Sequence, residues 1–261
     1  MITRLSATVL MLALGACASL PESKHREAGA FAGSLQETAT ACSMPAGCGL
    51  DSPLRDLAET TAAAGGGKHQ VILLDQGSDA LLTRLHMIES ARHSVELQVF
   101  IYDLDETGTL VLDALLRAAQ RGVKVRLLLD QLYGRTRPQL QAKLSALHRN
   151  FELRLYSPMF NQAKTDKAEF FAGILFRFQS LNQRMHTKLL LVDDRMAIVG
   201  GRNIQDRYFD WGQSYNYRDR DVWISGPVTL KMRDNFNAFW SSERSFRAVQ
   251  LQDVSEELLA S

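Results

Sequence analysis

Very little of this chain is cysteine, and very little of its charge is unbalanced: three cysteines and a formal net charge of +1, from 30 basic against 29 acidic side chains, stand in 261 residues. So even a balance excludes any global attraction to nucleic acid or to an anionic lipid surface; such a partner would have to be met locally. The apolar run from Leu5 to Ala16, behind Arg4, is too short to span a bilayer as a stable helix, and has instead the form of a secretory signal closing on Cys17. Gly65 to Gly67 are not followed by the Gly-Lys-Ser/Thr of a phosphate loop. Cys42 and Cys48 have no histidine partners nearby, and no ligand spacing suggests a metal, so neither metal nor cofactor is expected.

What the chain does carry is concentrated in HTKLLLVDDRMAIVGGRN, residues 186–203. His186 and Lys188 are two apart, so in an extended strand their side chains leave one face and can converge on a small anion. Lys188 supplies a point charge, and His186 a nucleophile or an acid. LLLV and MAIV, split by Asp193-Asp194-Arg195, read as a hairpin buried in a sheet core, which would set the active groups on rigid strands. Gly200 and Gly201 allow a close backbone approach or a positive φ, and Asn203 beyond them offers an amide donor to a charged oxygen. Taken singly, each of these residues has an ordinary structural reading as an edge-strand charge, a bulge or a hairpin tip. Their joint spacing does not.

That spacing, with ELQVFIYDLDETG at 96–108, GVKVRLLLDQ at 122–131 and DRDVWISGP at 219–227, resembles the phospholipase D superfamily across residues 68 to 250. The resemblance implies metal-free phosphodiester cleavage in two steps: His186 attacks phosphorus to give a phosphohistidine, and water or an alcohol then takes the phosphoryl group. It assigns the catalytic positions to His186, Lys188, Asp193 and Asp219, and the phosphate-binding ones to Lys188, Asn203, Gly200 and Gly201. Asp219 would hold the second imidazole nitrogen, although RDRD reads equally as a solvated loop. Asp193 is better suited to bracing the hairpin through backbone hydrogen bonds than to moving a proton. The histidines at 25, 69, 86, 93 and 148 lack any such context and read as structural.

Members of this superfamily bring two motifs to one site, as nucleophile and leaving-group acid, whereas His-x-Lys occurs once here. The expectation is a homodimer, or the N-terminal half of a two-motif enzyme of the bacterial phospholipase D or cardiolipin synthase type. A phospholipid substrate is expected, with headgroup hydrolysis or phosphatidyl transfer as the reaction. The alternatives are a periplasmic nuclease or other phosphodiesterase, although nucleic acid is the less expected partner, and a noncatalytic envelope lipoprotein that keeps the fold.

LGAC at 14–17 resembles a lipobox, which implies acylation of Cys17, a membrane anchor and residence on the periplasmic face of the outer membrane; a plain signal peptide or an uncleaved anchor are the other readings. Cys42 and Cys48 fit either a small local disulfide or two inert thiols. Three regions are expected: a signal peptide at 1–17, a flexible tether at 18–67 rich in Ala, Gly, Ser and Thr, and a phospholipase D-like α/β domain at 68–261 with a mixed sheet flanked by helices on both faces. Residues 161–188 combine Lys164, Lys167, Arg177, Arg184 and Lys188 with AEFFAGILFRF, against only Asp166 and Glu169. That mixture suits a phospholipid, and equally an ordinary core element with surface charges.

Overall fold

The computed structural model describes residues 20–44, 47–132, 137–165, 167–176 and 182–261. Its centre is one sheet of eight strands: β1 Gln70–Leu74, β2 Ser94–Val99, β3 Lys124–Asp130, β4 Phe151–Tyr156, β5 Leu189–Val192, β6 Met196–Gly200, β7 Asp221–Ser225 and β8 Ser245–Arg247. They lie in the order β1-β7-β6-β5-β2-β3-β4-β8. β2, β3 and β4 run parallel, while β5, β6 and β7 form an antiparallel meander that joins them through the antiparallel β2–β5 pair.

The described helices are α1 Glu22–Leu35, α2 Pro53–Ala64, α3 Gly77–Ser90, α4 Glu106–Gln120, α5 Pro138–Leu147, α6 Lys167–Phe176, α7 Val228–Trp240 and α8 Gln252–Ala260. α4 and α5 are the crossovers that parallel pairing requires. α4 shows how local chemistry sets an element: the Asp105 carboxylate accepts from the Gly108 amide at its start, Val111, Leu115 and Ala118 bury one face, and Gly122 turns the chain out at φ 98.

Strand alternation divides the core. Val95, Leu97 and Val99 enter a large cluster with residues of α1 to α5 and α8, and Leu128, Leu189, Leu191 and Ala197 meet Phe236 and Trp240 of α7 on the other face. Helices therefore cover both faces of a mixed sheet, as expected for the fold class.

The β5–β6 hairpin forms as read. Asp193 and Asp194 both take positive φ, at 53 and 56, and the Arg195 amide donates to the Val192 carbonyl at 3.0 Å. Two such residues make a turn whose twist matches the flanking strands, and Asp is among the few side chains that tolerate the left-handed region.

The flexible tether at 18–67 is corrected. α1 and α2 occupy most of it and pack on the domain: Ala28 and Ala32 of α1 are buried with Val254 and Leu258 of α8, and Ala58 of α2 joins the same cluster. The Glu37 amide donates to Leu147, and the Arg149 amide returns a bond to Glu37. Alanine is the reason for the error. It is the best helix former and packs closely, yet it gives a weak apolar periodicity, so an Ala-rich helix reads like a linker. Pro53 at the start of α2 and the glycines 65–67, all at positive φ beyond its end, are its punctuation. Between the two helices Cys42 and Cys48 are joined as a disulfide, Cα to Cα 5.6 Å. Cys17 with its apolar run, Asp166 and Arg177 lie outside the described residues.

Candidate active site

The C-terminal ends of parallel strands form an edge where loops gather. The His-x-Lys segment crosses that edge. His186 and Lys188 stand just before β5 rather than inside it, and they converge on Phe100, the residue after β2. The His186 ring meets Phe100 edge-on at 4.8 Å between centroids, and the Lys188 Nζ lies 5.2 Å from the same centroid. Lys188 also donates to the His186 carbonyl at 2.8 Å, so its stem is buried and its ammonium is held beside the histidine.

The electrostatics favour a neutral imidazole. Burial, then the Lys188 ammonium, lower the His186 pKa from its ordinary value, with Asp130 opposing them. Burial also lowers that of Lys188, while the Asp219 charge works to keep it protonated. A neutral histidine next to a cation has the chemistry to attack phosphorus while the cation takes a phosphate oxygen.

Asn203 is buried, and its Oδ1 accepts from the Ile101 amide at 3.0 Å. That bond commits the oxygen and leaves the amide N–H₂ as the donor end, one residue from Phe100 along β2's exit. The glycines serve close approach and not a positive φ. A Cβ on Gly201 would lie 1.9 Å from Asp219 Oδ1, and one on Gly200 would lie 2.0 Å from Asp221 Oδ1. So Gly201 admits the Asp219 carboxylate to the site. Gly200 admits Asp221, a buried carboxylate paired with Arg84 at 2.9 Å and Arg202 at 3.3 Å, into the frame beneath.

Among the described residues no hydrogen bond joins Asp219 to His186. Asp219 Oδ1 accepts from the Arg220 amide at 3.0 Å, and its charge acts on Lys188. Asp193 is not brought to the site. It lies at the far end of β5, where its carboxylate accepts from the amides of Arg92, His93 and Ser94 at 2.9, 2.7 and 2.8 Å and from the Arg55 guanidinium at 2.6 Å. Burial alone would raise the Asp193 pKa, but Arg55 and the three amides outweigh it and hold the carboxyl below its ordinary range. Asp193 ties the hairpin to the start of β2 and, through Arg55, to α2.

Sequence reasoning missed the group that holds the His186 segment in place. Asp130, fully buried at the end of β3, accepts from Arg184 Nε and Nη2 and from the Met185 amide, and Arg184 Nη1 reaches the Ser157 carbonyl at 3.0 Å. The signal available was a carboxylate ending the apolar run VRLLLD, which burial would forbid without a partner. Phe100 was also missed. Among the other histidines, His148 is buried on the Ala39 carbonyl and His25 bonds Ser255. Among the described residues no group of three or more His, Cys, Asp or Glu side chains could hold a metal ion.

Comparison with known proteins bears on the family and the fold. Residues 85–240 match the family described as cardiolipin synthase, PLD-like domain. Cardiolipin synthase C of Escherichia coli is 36% identical over 189 residues, covering 72% of this chain and 38% of that protein. Cardiolipin synthase 1 of Bacillus anthracis is 31% identical over 191 residues, 70% of this chain and 34% of that protein. The chain thus spans about a third of the length of these relatives. Phosphatidylserine synthase of Haemophilus influenzae superposes with a TM-score of 0.52 at 14% identity, over 73% of this chain and 42% of that one, a likeness of fold. With the His-x-Lys segment, the Gly-Gly-x-Asn turn and the mixed sheet that carries them, these matches make the chain a member of the phospholipase D superfamily.

Proposed function

We propose that the protein breaks or exchanges phosphodiester bonds of phospholipids through a covalent phosphohistidine. The observation that carries the reading is the meeting of His186 and Lys188 on Phe100, beside the Asn203 amide and with the Asp219 carboxylate admitted by Gly201. Family membership supports phosphodiester chemistry on phospholipids at the level of the family.

In the first step an imidazole nitrogen of neutral His186 attacks phosphorus and the ester oxygen leaves with the electron pair, taking a proton from the histidine of a second motif. Lys188 and the Asn203 N–H₂ hold the nonbridging oxygens as their charge develops. In the second step water or an alcohol attacks the phosphohistidine, gives its proton back to the second histidine and regenerates His186. Asp219 holds Lys188 charged through the cycle, and pairs with the His186 imidazole once that ring becomes cationic. The second histidine comes from another copy of the chain or from another motif-bearing half.

Phosphatidylglycerol carrying a labelled phosphate tests this directly. Full-length protein is mixed with the lipid and quenched in denaturant, and the phosphoenzyme is located by peptide mapping. Label on His186, absent in His186→Ala with the fold intact, is expected. Turnover that survives His186→Ala overturns the mechanism. Light scattering on active fractions of this chain alone is expected to show a dimer, and an active monomer that carries no second motif-bearing half would rule out the shared site. The same reading places the protein in the cell envelope, anchored by acylated Cys17; an intact mass without acyl chains on Cys17 in membrane-extracted protein would remove the anchor.

A further inference from the structure

α6 exposes apolar side chains where a ten-residue helix ordinarily buries them. Phe170, Phe171, Ile174 and Leu175 fall on one stripe of it, and Phe171 and Leu175 are 65% and 76% exposed. Its inner side is taken by Gly173, which sits against Met159 in the turn after β4. The stripe is therefore not half of an internal interface; it faces out.

A second exposed apolar element stands at the same edge of the sheet. Trp211, Tyr215 and Tyr217 are each 40% to 48% exposed on the segment that leads to Asp219. The segment is braced, not loose. Asp206 accepts from the Thr107 amide and, through its carbonyl, from Trp211, which ties the loop to the first turn of α4, and Arg207 lies 4.3 Å from the Tyr215 ring centroid. α6 rises past the end of β4, this loop lies against the start of α3, next after β1, through the Gly77 amide on the Asp210 carboxylate, and the His186 segment is pinned to the end of β3, which lies between β1 and β4 in the sheet. The apolar elements thus flank the site's own edge.

The chemistry of the two patches names the occupant. Aliphatic and phenylalanine side chains suit acyl chains, while Trp and Tyr suit the headgroup boundary, where an amphipathic ring has both of its environments. Exposed cations accompany them: Lys164 ahead of α6, and Arg218 one residue before Asp219. Among the described residues no helix is long and apolar enough to cross a membrane, so contact with lipid through these residues would be made by the surface. We propose that α6 and the Trp211–Tyr217 loop seat the protein on an anionic phospholipid bilayer, with the His186 edge turned toward the headgroups. The proposal rests on the lipid-directed reading above and adds to it the surface by which the substrate is met.

Trp211 provides the test, because Trp223 and Trp240 are buried in the core. Full-length protein is titrated with phosphatidylglycerol vesicles whose acyl chains are brominated near the headgroup, and tryptophan quenching is followed. Wild type is expected to be quenched, and Phe171→Ser/Leu175→Ser to need at least about tenfold more lipid for the same quenching, given the acyl-chain contact removed. Arg218→Glu is expected to weaken binding to phosphatidylglycerol and not to phosphatidylcholine vesicles. Both substitutions replace exposed side chains, and circular dichroism checks that the fold is kept. The N-terminal sequence is identical in all variants, so any acyl anchor cancels. An unquenched wild type, or a serine variant quenched like wild type, overturns the proposal. If a second copy covers α6 instead, the serine variant changes from dimer to monomer and no quenching is seen, which also overturns it. A soluble short-chain phosphodiester separates the two readings: no turnover with quenching intact removes the enzymatic reading and leaves the docking surface, whereas turnover without quenching does the reverse.

Discussion

Arg184 closes a two-pronged ion pair on Asp130, with Nη2 2.6 Å from Oδ1 and Nε 3.0 Å from both carboxylate oxygens, across 54 positions of sequence. The next residue, Met185, donates its amide to the same carboxylate at 3.1 Å, and His186 follows. The backbone leading into His186 is thus fixed to the end of β3 by a planar fork that a lysine cannot reproduce.

If this pair positions His186, Asp130→Asn should lower kcat by about 10- to 100-fold, the range a displacement near 1 Å can cause. KM should change little, because Asp130 is buried and Arg184 is engaged by Asp130 and the Ser157 carbonyl. Arg184→Lys, which keeps the charge but loses the fork, should lower kcat nearly as much. Measured kcat and KM for the three proteins decide the matter: an Asp130→Asn variant that loses only thermal stability and keeps kcat would make the pair structural alone.

His186 should titrate below about 6.5, the ordinary value for histidine. Burial and then Lys188 both disfavour its cation, and the Asp130 charge only partly offsets them. Lys188→Met removes one of the two depressing influences, so the midpoint should move up. The imidazole resonances followed by NMR from pH 4 to 9 give both values without an activity assay, and a wild-type midpoint at or above the ordinary value would contradict the electrostatics described.

Asp193 should matter to folding and not to chemistry. Its folded-state pKa lies below the unfolded one, so its contribution is present above the unfolded value and is lost as pH falls through the folded one. Removing this partner of a buried ion pair leaves Arg55 with only the Ser90 carbonyl and a 3.7 Å contact to half-exposed Glu59, a cost of up to about 3–5 kcal/mol. Asp193→Ala should therefore unfold at much lower denaturant at pH 7, and its disadvantage should shrink in acid. His186→Ala, at an exposed position, should keep the wild-type midpoint. Equal destabilisation by the two would deny the separation of frame from site.

The hairpin and its termini were legible in the sequence because their determinants are local: two short apolar runs, an Asp pair that tolerates positive φ, and a glycine pair at fixed spacing. Lys188 and Asn203 were legible for the same reason. Asp219 was named through family resemblance alone, as the holder of the imidazole, and no hydrogen bond joins the two among the described residues; nothing local in RDRD marks which carboxylate stands against Gly201. Asp130 and Arg184 were not, because an ion pair across 54 positions leaves no periodicity, and neither was the docking of α1 and α2, whose alanines carry little apolar signal. The Arg55–Asp193 bond makes the point sharply: it joins a segment read as a tether to a residue read as part of the motif.

The two adjacent glycines should fail in different ways. A methyl on Gly201 meets the Asp219 carboxylate, with Oδ1 at 1.9 Å and Cγ at 2.4 Å, so Gly201→Ala has to push Asp219 away from Lys188. Asp219 is only half-buried and can swing outward at little cost in stability, which leaves Lys188 with burial alone acting on its charge. Turnover should fall at least about tenfold, again the scale of a small misplacement, with the unfolding midpoint near wild type and a Lys188 that deprotonates at lower pH. A methyl on Gly200 instead meets Asp221, which is fully buried between Arg84 and Arg202 and has nowhere to move. Gly200→Ala should accordingly cost stability on the order of the 1–3 kcal/mol typical of overpacking, and activity only in proportion to the protein that remains folded. Paired urea titrations and specific activities, corrected for folded fraction, separate the two cases. If Gly201→Ala proved as active per folded molecule as Gly200→Ala, the place of Asp219 beside Lys188 would have no bearing on the reaction.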